Sequence, residues 1–241
     1  MDDGNRIKAT ETAFEILDVL YESGGATAAE TATALEMSRA GVYKHLRTLL
    51  AVGAVSNQSG LYTLGPKFEK YGRKTKQNKF VYEHRSMIDD LSMSLDAPTN
   101  LWVGNGDSAV CLYTTLPNRG RDNPRRQSQQ SLLIETTPGK TILSFCDHEQ
   151  REILLGSVSN GMAKEIASQL QEIQERKLLI ESLQPDADWV SIATPVLDSS
   201  NQPIGALEVV IPSERAKGLD VEVNIAGLIR DTANRIEVEM V

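Results

Sequence analysis

The sequence predicts a two-part α+β protein, a winged helix-turn-helix followed by a domain built around a single sheet. Three observations carry this. The first 66 residues hold three short amphipathic segments and then an alternating hairpin. A basic stretch is set into an acidic chain. From about Val81 onward, helical and strand periodicities interleave with antiparallel hairpin signals.

The first helix is expected over 7–23 (IKATETAFEILDVLYES), where Ala13, Ile16, Leu17 and Leu20 recur at helical spacing and Phe14 and Tyr21 widen the stripe. Gly24 and Gly25 end it. Thr27 then caps a second helix, AAETATALE, with Glu30 three residues on as a capping-box partner. After a tight turn at Met37, Ser38 caps a third helix, RAGVYKHLRTLLAVG, with Val42, Leu46 and Leu49 on its buried face. AVSNQSGLYTLG alternates around a turn signal at 57–60 and reads as a hairpin.

Function follows from this arrangement. An exposed helix fits the major groove, where Arg, Lys and polar side chains reach base edges, and a hairpin wing reaches the neighbouring backbone or minor groove. The candidate DNA contacts are Thr27, Ser38, Arg39, Ala40, Tyr43, Lys44 and Arg47, with Asn57, Gln58 and Tyr62 on the wing. The overall charge of −8 argues against nucleic acid only as an average. Between Ser38 and Arg85, ten Lys or Arg face two Glu, a local +8 that leaves −16 on the rest. Such a segment marks a polyanion contact or a solvated basic helix, and the surrounding motif favours contact with double-stranded DNA. Residues 67–82, rich in Lys and Arg, read as a connecting helix able to add phosphate contacts.

The second domain is expected to run from 83 to 241, against 1–66 for the DNA-binding part. VYEHRSMIDDLSMSL is helical, and NLWVG and AVCLYTTL are strands around Asn105–Gly106–Asp107. Residues 117–131, with two prolines and four arginines, read as a solvated loop. SLLIET is a strand, Pro138 opens a short helix, and HEQREILL and MAKEIASQLQEIQERKLL are helices. WVSIATPVLD and PIGALEVVI form a late hairpin, and a last helix places Ile225, Ile229, Ala233 and Ile236 on one face.

Other classes are excluded or left as alternatives. With 40% hydrophobic residues the chain is globular, and it has no run of about 18 apolar residues to span a membrane. The N-terminus carries no secretory pattern, so a cytoplasmic location is expected. No nucleophile elbow, phosphate loop, dinucleotide fingerprint or zinc-protease motif is present, so no catalytic residue, metal site or cofactor is assigned. Cys111 and Cys146 lack metal-ligand spacing and read as reduced thiols or, if close in space, as a redox pair. A regulator acting through redox or protein contacts is therefore the alternative to one that senses a small ligand.

MSRAGVYKHLRTLLAVGAV paired with GLYTLG resembles the DNA-binding half of the IclR family of transcription regulators. LLIETTPGKTILSF, the Ala-x-Pro-Val-x-Asp run at Ala193–Asp198 and the Pro-x-x-Arg at Pro212–Arg215 resemble that family's effector half. The wing and the acidic body look most like archaeal members from halophiles. The resemblance implies a GAF-like effector domain, a homodimer or homotetramer, and promoter binding altered by a small molecule such as a sugar or organic acid. It places the pocket near Trp102, Thr137, Glu181, Ser191, Glu208 and Val210, with Ser191 at a family cysteine position and Glu208 at a small polar one. In one branch the ligand carboxylate lies against the amides of the positions equivalent to Thr137 and Pro138. Proline has no N–H, so the cradle here has one donor fewer. Two glutamates in the pocket would repel an anion and favour a neutral sugar, a cation or a metal.

Overall fold

The computed structural model describes residues 7–72, 74, 76–117, 123–125, 127, 129–183, 188–218 and 221–239. The chain forms two compact units, Met1–Lys76 and Gln77–Val241.

In the first unit, α1 (Lys8–Glu22), α2 (Ala28–Ala34) and α3 (Arg39–Ala51) pack on a small antiparallel sheet. Its strands are β1 (Ala26–Thr27), β2 (Val55–Gln58) and β3 (Leu61–Leu64), in the order β1-β3-β2, and α4 (Lys67–Gly72) follows. This is a winged helix-turn-helix. The capping box forms as expected: Glu30 N–H donates to Thr27 Oγ1 at 3.3 Å, and Thr27 N–H donates to Glu30 Oε2 at 2.8 Å. Ser38 Oγ accepts from Gly41 N–H at 3.1 Å and opens α3. Ser59 and Gly60 adopt φ of 52° and 90°, the left-handed pair that a two-residue hairpin turn requires. The core joins Ile16, Leu17, Leu20, Val42, Leu46, Leu49 and Val55. Phe14 and Tyr21 do not join it; they are 58% and 52% exposed. They sit roughly 90° around the helix from the centre of the stripe that Ala13, Ile16, Leu17 and Leu20 fill.

The second unit begins on α5 (Lys76–Leu95). Strands β4 (Thr99–Asn105), β5 (Ser108–Thr115) and β6 (Gln130–Leu132) are followed by a 3-10 turn, Leu133–Glu135. Helices α6 (Thr137–Leu143), α7 (His148–Leu155) and α8 (Asn160–Arg176) come next. The chain then forms β7 (Leu179–Ser182), β8 (Trp189–Leu197), β9 (Pro203–Pro212), α9 (Ser213–Lys217), α10 (Val221–Asn224) and α11 (Ala226–Glu239). One antiparallel sheet of order β6-β5-β4-β9-β8-β7 holds the unit together. On one face, Leu101, Ile192, Leu207, Val209 and Ile211 pack with α5 and with Ile229, Ala233 and Ile236 of α11. On the other, Trp102, Cys111 and Ala206 pack with α6, α7 and α8. Among the described residues no helix is long and apolar enough to cross a membrane.

Two expectations are corrected. SLLIET is a strand only to Leu132, because Leu133 and Ile134 are both buried and the chain must turn for Thr136 to cap α6. The long helix expected to reach Leu179 stops at Arg176, and an edge strand follows. Lys177 makes the stop at φ 49°, without the glycine that would have announced it.

Candidate functional site

The helix α3 separates its residues cleanly. Val42, Leu46 and Leu49 are buried, whereas Arg39, Ala40, Tyr43, Lys44 and Arg47 are exposed along one side, at the i, i+4 and i+8 spacing of a helical face. Tyr43 is 50% exposed, an aromatic set among the three cations. Ser38 is exposed beside them, with its hydroxyl engaged as the cap. Thr27 is partly buried and spends its hydroxyl on the α2 cap. Asn57 and Gln58 stand exposed at the wing tip, where Asn57 Oδ1 accepts from Gly60 N–H at 3.3 Å. Tyr62 departs from its expected role: it is buried in the core under α1 and α3, because β3 turns that face inward.

Lys67 also departs from its sequence reading. Its ammonium donates to the Val52 carbonyl at 3.0 Å and lies 5.6 Å from the Tyr71 ring centroid. Val52 is the C-terminal cap of α3, so this charge complements the negative helix end. Arg73 and the side chains of Lys76 and Lys79, counted among the phosphate contacts, lie outside the described residues.

In the second unit the sequence-predicted residues fall into two groups. Glu208, on central strand β9, is completely buried and faces Asn100 directly across the β4–β9 pairing. Its Oε2 accepts from Trp102 Nε1 at 2.7 Å and Asn100 Nδ2 at 3.1 Å. Its Oε1 accepts from Ser191 Oγ at 2.6 Å and from Arg125 Nε and Nη2 at 3.0 and 2.9 Å. The Arg125 guanidinium also lies 5.5 Å from the Trp102 ring centroid. A carboxylate in a dry interior is tolerated only with such partners. Val210, also on β9 and paired with Ser191 across β8–β9, is buried.

Glu181 belongs to a separate cluster on edge strand β7. It accepts from Lys140 Nζ at 2.5 Å and Gln169 Nε2 at 3.3 Å, beside a cleft of about 390 Å³ lined by Gln169, Glu172, Arg176 and residues 178–181. Each glutamate thus faces its own cation, so the expected mutual repulsion is cancelled pair by pair. Thr137 is buried at the start of α6. The turn before it is tight: a Cβ on Gly139 would run into the Leu133 carbonyl. Gly139 N–H donates to Thr136 Oγ1 at 3.1 Å, and Lys140 N–H donates to the Thr136 carbonyl at 2.8 Å. Pro138 has no N–H, and the Gly139 and Lys140 N–H groups are already satisfied, so this helix start has few donors left for an anion.

Two contributors escaped the sequence reading. Asn100 hid in an ordinary strand, and Arg125 lies in the stretch read as a solvated loop, yet its side chain is only 10% exposed. Asn118–Asp122, Arg126 and Ser128 of that stretch lie outside the described residues. Asn123 ties the segment down through Nδ2 to Asn100 Oδ1 at 3.0 Å and Thr114 Oγ1 at 2.8 Å. Four arginines between two prolines gave no sign of which one turns inward.

Both thiols are held above their ordinary value. Burial first, and then Glu208, pushes Cys111 up to about 12, and burial and Asp147 push Cys146 up to about 11. Arg125 beside Cys111 and Arg151 beside Cys146 offset the rise only in part. Among the described residues no group of three or more His, Cys, Asp or Glu is placed to hold a metal.

Comparison with known proteins matches residues 9–56 to a helix-turn-helix domain family and residues 74–238 to the C-terminal domain of the bacterial transcriptional regulator IclR. The chain is 24% identical to the probable HTH-type transcriptional regulator ArcR of Halobacterium salinarum, over 98% of this chain and 94% of that protein. Its fold is similar to an IclR homolog from Microbacterium hydrocarbonoxydans solved with 4-hydroxybenzoate, at a TM-score of 0.82, 16% identity, and coverage of 96% and 98% of the two chains. An IclR-type regulator from Alicyclobacillus acidocaldarius aligns at a TM-score of 0.78 and 19% identity, covering 97% and 98%.

Proposed function

Because the chain belongs to the IclR family of transcription regulators, we propose that it reads a promoter through α3 and that a small organic effector in its C-terminal domain sets its promoter affinity. It is a DNA-binding regulator with a C-terminal effector-binding domain, and no enzyme. The observation that carries the DNA reading is the exposed face of α3, where Arg39, Tyr43, Lys44 and Arg47 line one side of a capped, well-packed helix. Arg39 and Lys44 are suited to base edges, Tyr43 to apolar or hydroxyl contact, and Arg47 to phosphate. Asn57 and Gln58 at the wing tip take the adjacent backbone.

The effector lies on the sheet face that carries Trp102, Ser191 and Glu208, with Asn100 and Arg125 added to the set. The fold relative solved with 4-hydroxybenzoate supports a small organic ligand. The division adopted is 1–66 for DNA binding, 67–82 for the connector and 83–241 for effector binding and self-association. The protein acts in the cytoplasm as a homodimer or homotetramer, in which paired α3 helices take two half-sites. Its likeness to the Halobacterium salinarum protein supports a haloarchaeal type.

Fluorescence anisotropy on a labelled fragment of its own upstream region tests the DNA reading. Binding should fall with salt, and more for the wild type than for Arg47→Ala. Equal slopes would remove Arg47 from the phosphate contacts.

A further inference from the structure

The geometry points to a guanidinium compound as the effector: a small planar cation that takes, against Glu208 and Trp102, the place Arg125 fills in this structure. This rests on reading the C-terminal unit as an effector domain and names the class of ligand it takes.

The sheet supplies a receptor that is complete except for its charge. Asn100, Trp102 and Ser191 give Glu208 three neutral donors from β4 and β8. Among the described residues, the compensating positive charge comes from Arg125, which no strand carries. Two donors of the guanidinium converge on Oε1 while its plane reaches over the indole. A carboxylate and an aromatic face held at right distance for one flat cation form a guanidinium site. An ammonium presents a point charge and loses the fork. An organic anion would meet Glu208 itself.

Arg125 has the features of a replaceable occupant. It comes from the segment between β5 and β6, whose neighbours Pro124 and Gln127 are exposed. Glu208 is fully buried, whereas the Arg125 side chain keeps 10% exposure. Its backbone N–H donates to Asn123 Oδ1 at 3.0 Å, and Asn123 is fastened to Asn100 and Thr114. A ligand that displaces the guanidinium therefore leaves the segment held through Asn123. A buried pair kept for stability alone is a poor bargain against an apolar replacement, and one whose cation must be ordered on a loop is poorer still. An internal competitor lowers apparent affinity by the fraction of time the site is closed.

The test titrates the full-length protein with L-arginine and with L-citrulline, which carries a neutral urea in place of the guanidinium. Calorimetry gives affinity, and a Trp189→Phe background leaves Trp102 as the emission reporter. L-arginine should bind the wild type and citrulline at least about tenfold more weakly. Arg125→Ala, freed of its competitor, should bind L-arginine at least about tenfold more tightly than the wild type. Arg125→Ala should also melt roughly 10 °C lower, and L-arginine but not citrulline should restore the loss. Glu208→Gln should abolish binding. If Arg125→Ala does not fold, Arg125→Met, which removes the charge and keeps most of the volume, should show the same gain in affinity. Equal binding of the two ligands, no gain in either Arg125 variant, or retained binding in Glu208→Gln overturns the proposal. Binding of 4-hydroxybenzoate that Glu208→Gln leaves unchanged overturns the guanidinium class and preserves the effector domain. Failure of L-arginine to bind the wild type and both Arg125 variants, with promoter affinity intact, overturns the guanidinium class alone.

Discussion

The helix α3 and the buried face of the effector sheet both concentrate charge, and they treat it in opposite ways. On α3, Arg39, Lys44 and Arg47 are held in water. On β9, Glu208 is withdrawn from water and surrounded by five donor groups of the chain itself. An exposed charge costs the fold almost nothing and gives its energy to a partner. A buried charge ties its partners into one network. Substitutions should therefore separate the two regions by what they damage.

The largest effect is expected on α3. Arg39→Ala, Lys44→Ala and Arg47→Ala together should weaken binding to the specific promoter fragment by about a thousandfold or more, taking on the order of 1–3 kcal/mol per base or phosphate contact. Stability should barely move, within about 0.5 kcal/mol, since surface changes rarely exceed this. Anisotropy and urea titration measure the two quantities. A triple variant that binds normally would turn α3 into a protein-contact helix.

Glu208→Ala should reverse the pattern. It leaves the Arg125 guanidinium buried beside Trp102 without its counter-charge, at a cost of about 3–5 kcal/mol. The Glu208→Leu, Arg125→Met double variant should recover much of that loss, since removing both charges removes the unpaired one. A double-mutant cycle in urea reads the coupling. Additive losses would mean that the two side chains do not act as a pair.

The same contrast explains what was legible in the sequence. The exposed face of α3 follows from periodicity and two cap residues, because a helix fixes which side chains share a side. Alternation on β9 placed Glu208 opposite the face of Leu207, Val209 and Ile211, and left solvent and cavity both open. Closing that choice needs Arg125, 83 positions earlier in sequence, and Asn100, 108 positions earlier. Neither residue carries a local pattern. Tyr62 shows the converse: its wing position was read correctly, but the inward turn of β3 places the ring in the core. The stop at Lys177 was silent because a lysine does there what a glycine usually announces.

A smaller effect is expected at the α2 cap, which holds the helix ahead of α3 in place. Thr27→Ala should lose about 1 kcal/mol. Glu30 is held below the usual carboxylate range, first by the Thr27 backbone N–H and then by the Thr27 hydroxyl. Its folded value lies below its unfolded one, so its contribution is present above the ordinary carboxylate value and disappears as pH falls through the lower, folded value. Glu30→Gln should flatten that acid-side loss in the first unit. Thermal melts of wild type and variant across the acid range would show it, and an unchanged acid limb would mean the capping box carries no linked proton.

The smallest effect is expected at the thiols, and here the buried face sets the outcome. With Cys111 held near 12 and Cys146 near 11, both stay protonated at neutral pH, and thiolate is the reactive form. Cys111→Ser with Cys146→Ser should leave promoter affinity unchanged, with and without oxidant. The wild type should react slowly with a thiol reagent until it is denatured. The linkage runs opposite to that of Glu30. The folded values lie above the ordinary 9, so the thiols contribute stability below pH 9 and lose it as pH rises toward 11 and 12, because the unfolded chain ionises first. Oxidant-dependent promoter binding that vanishes in the double variant would bring back the redox reading.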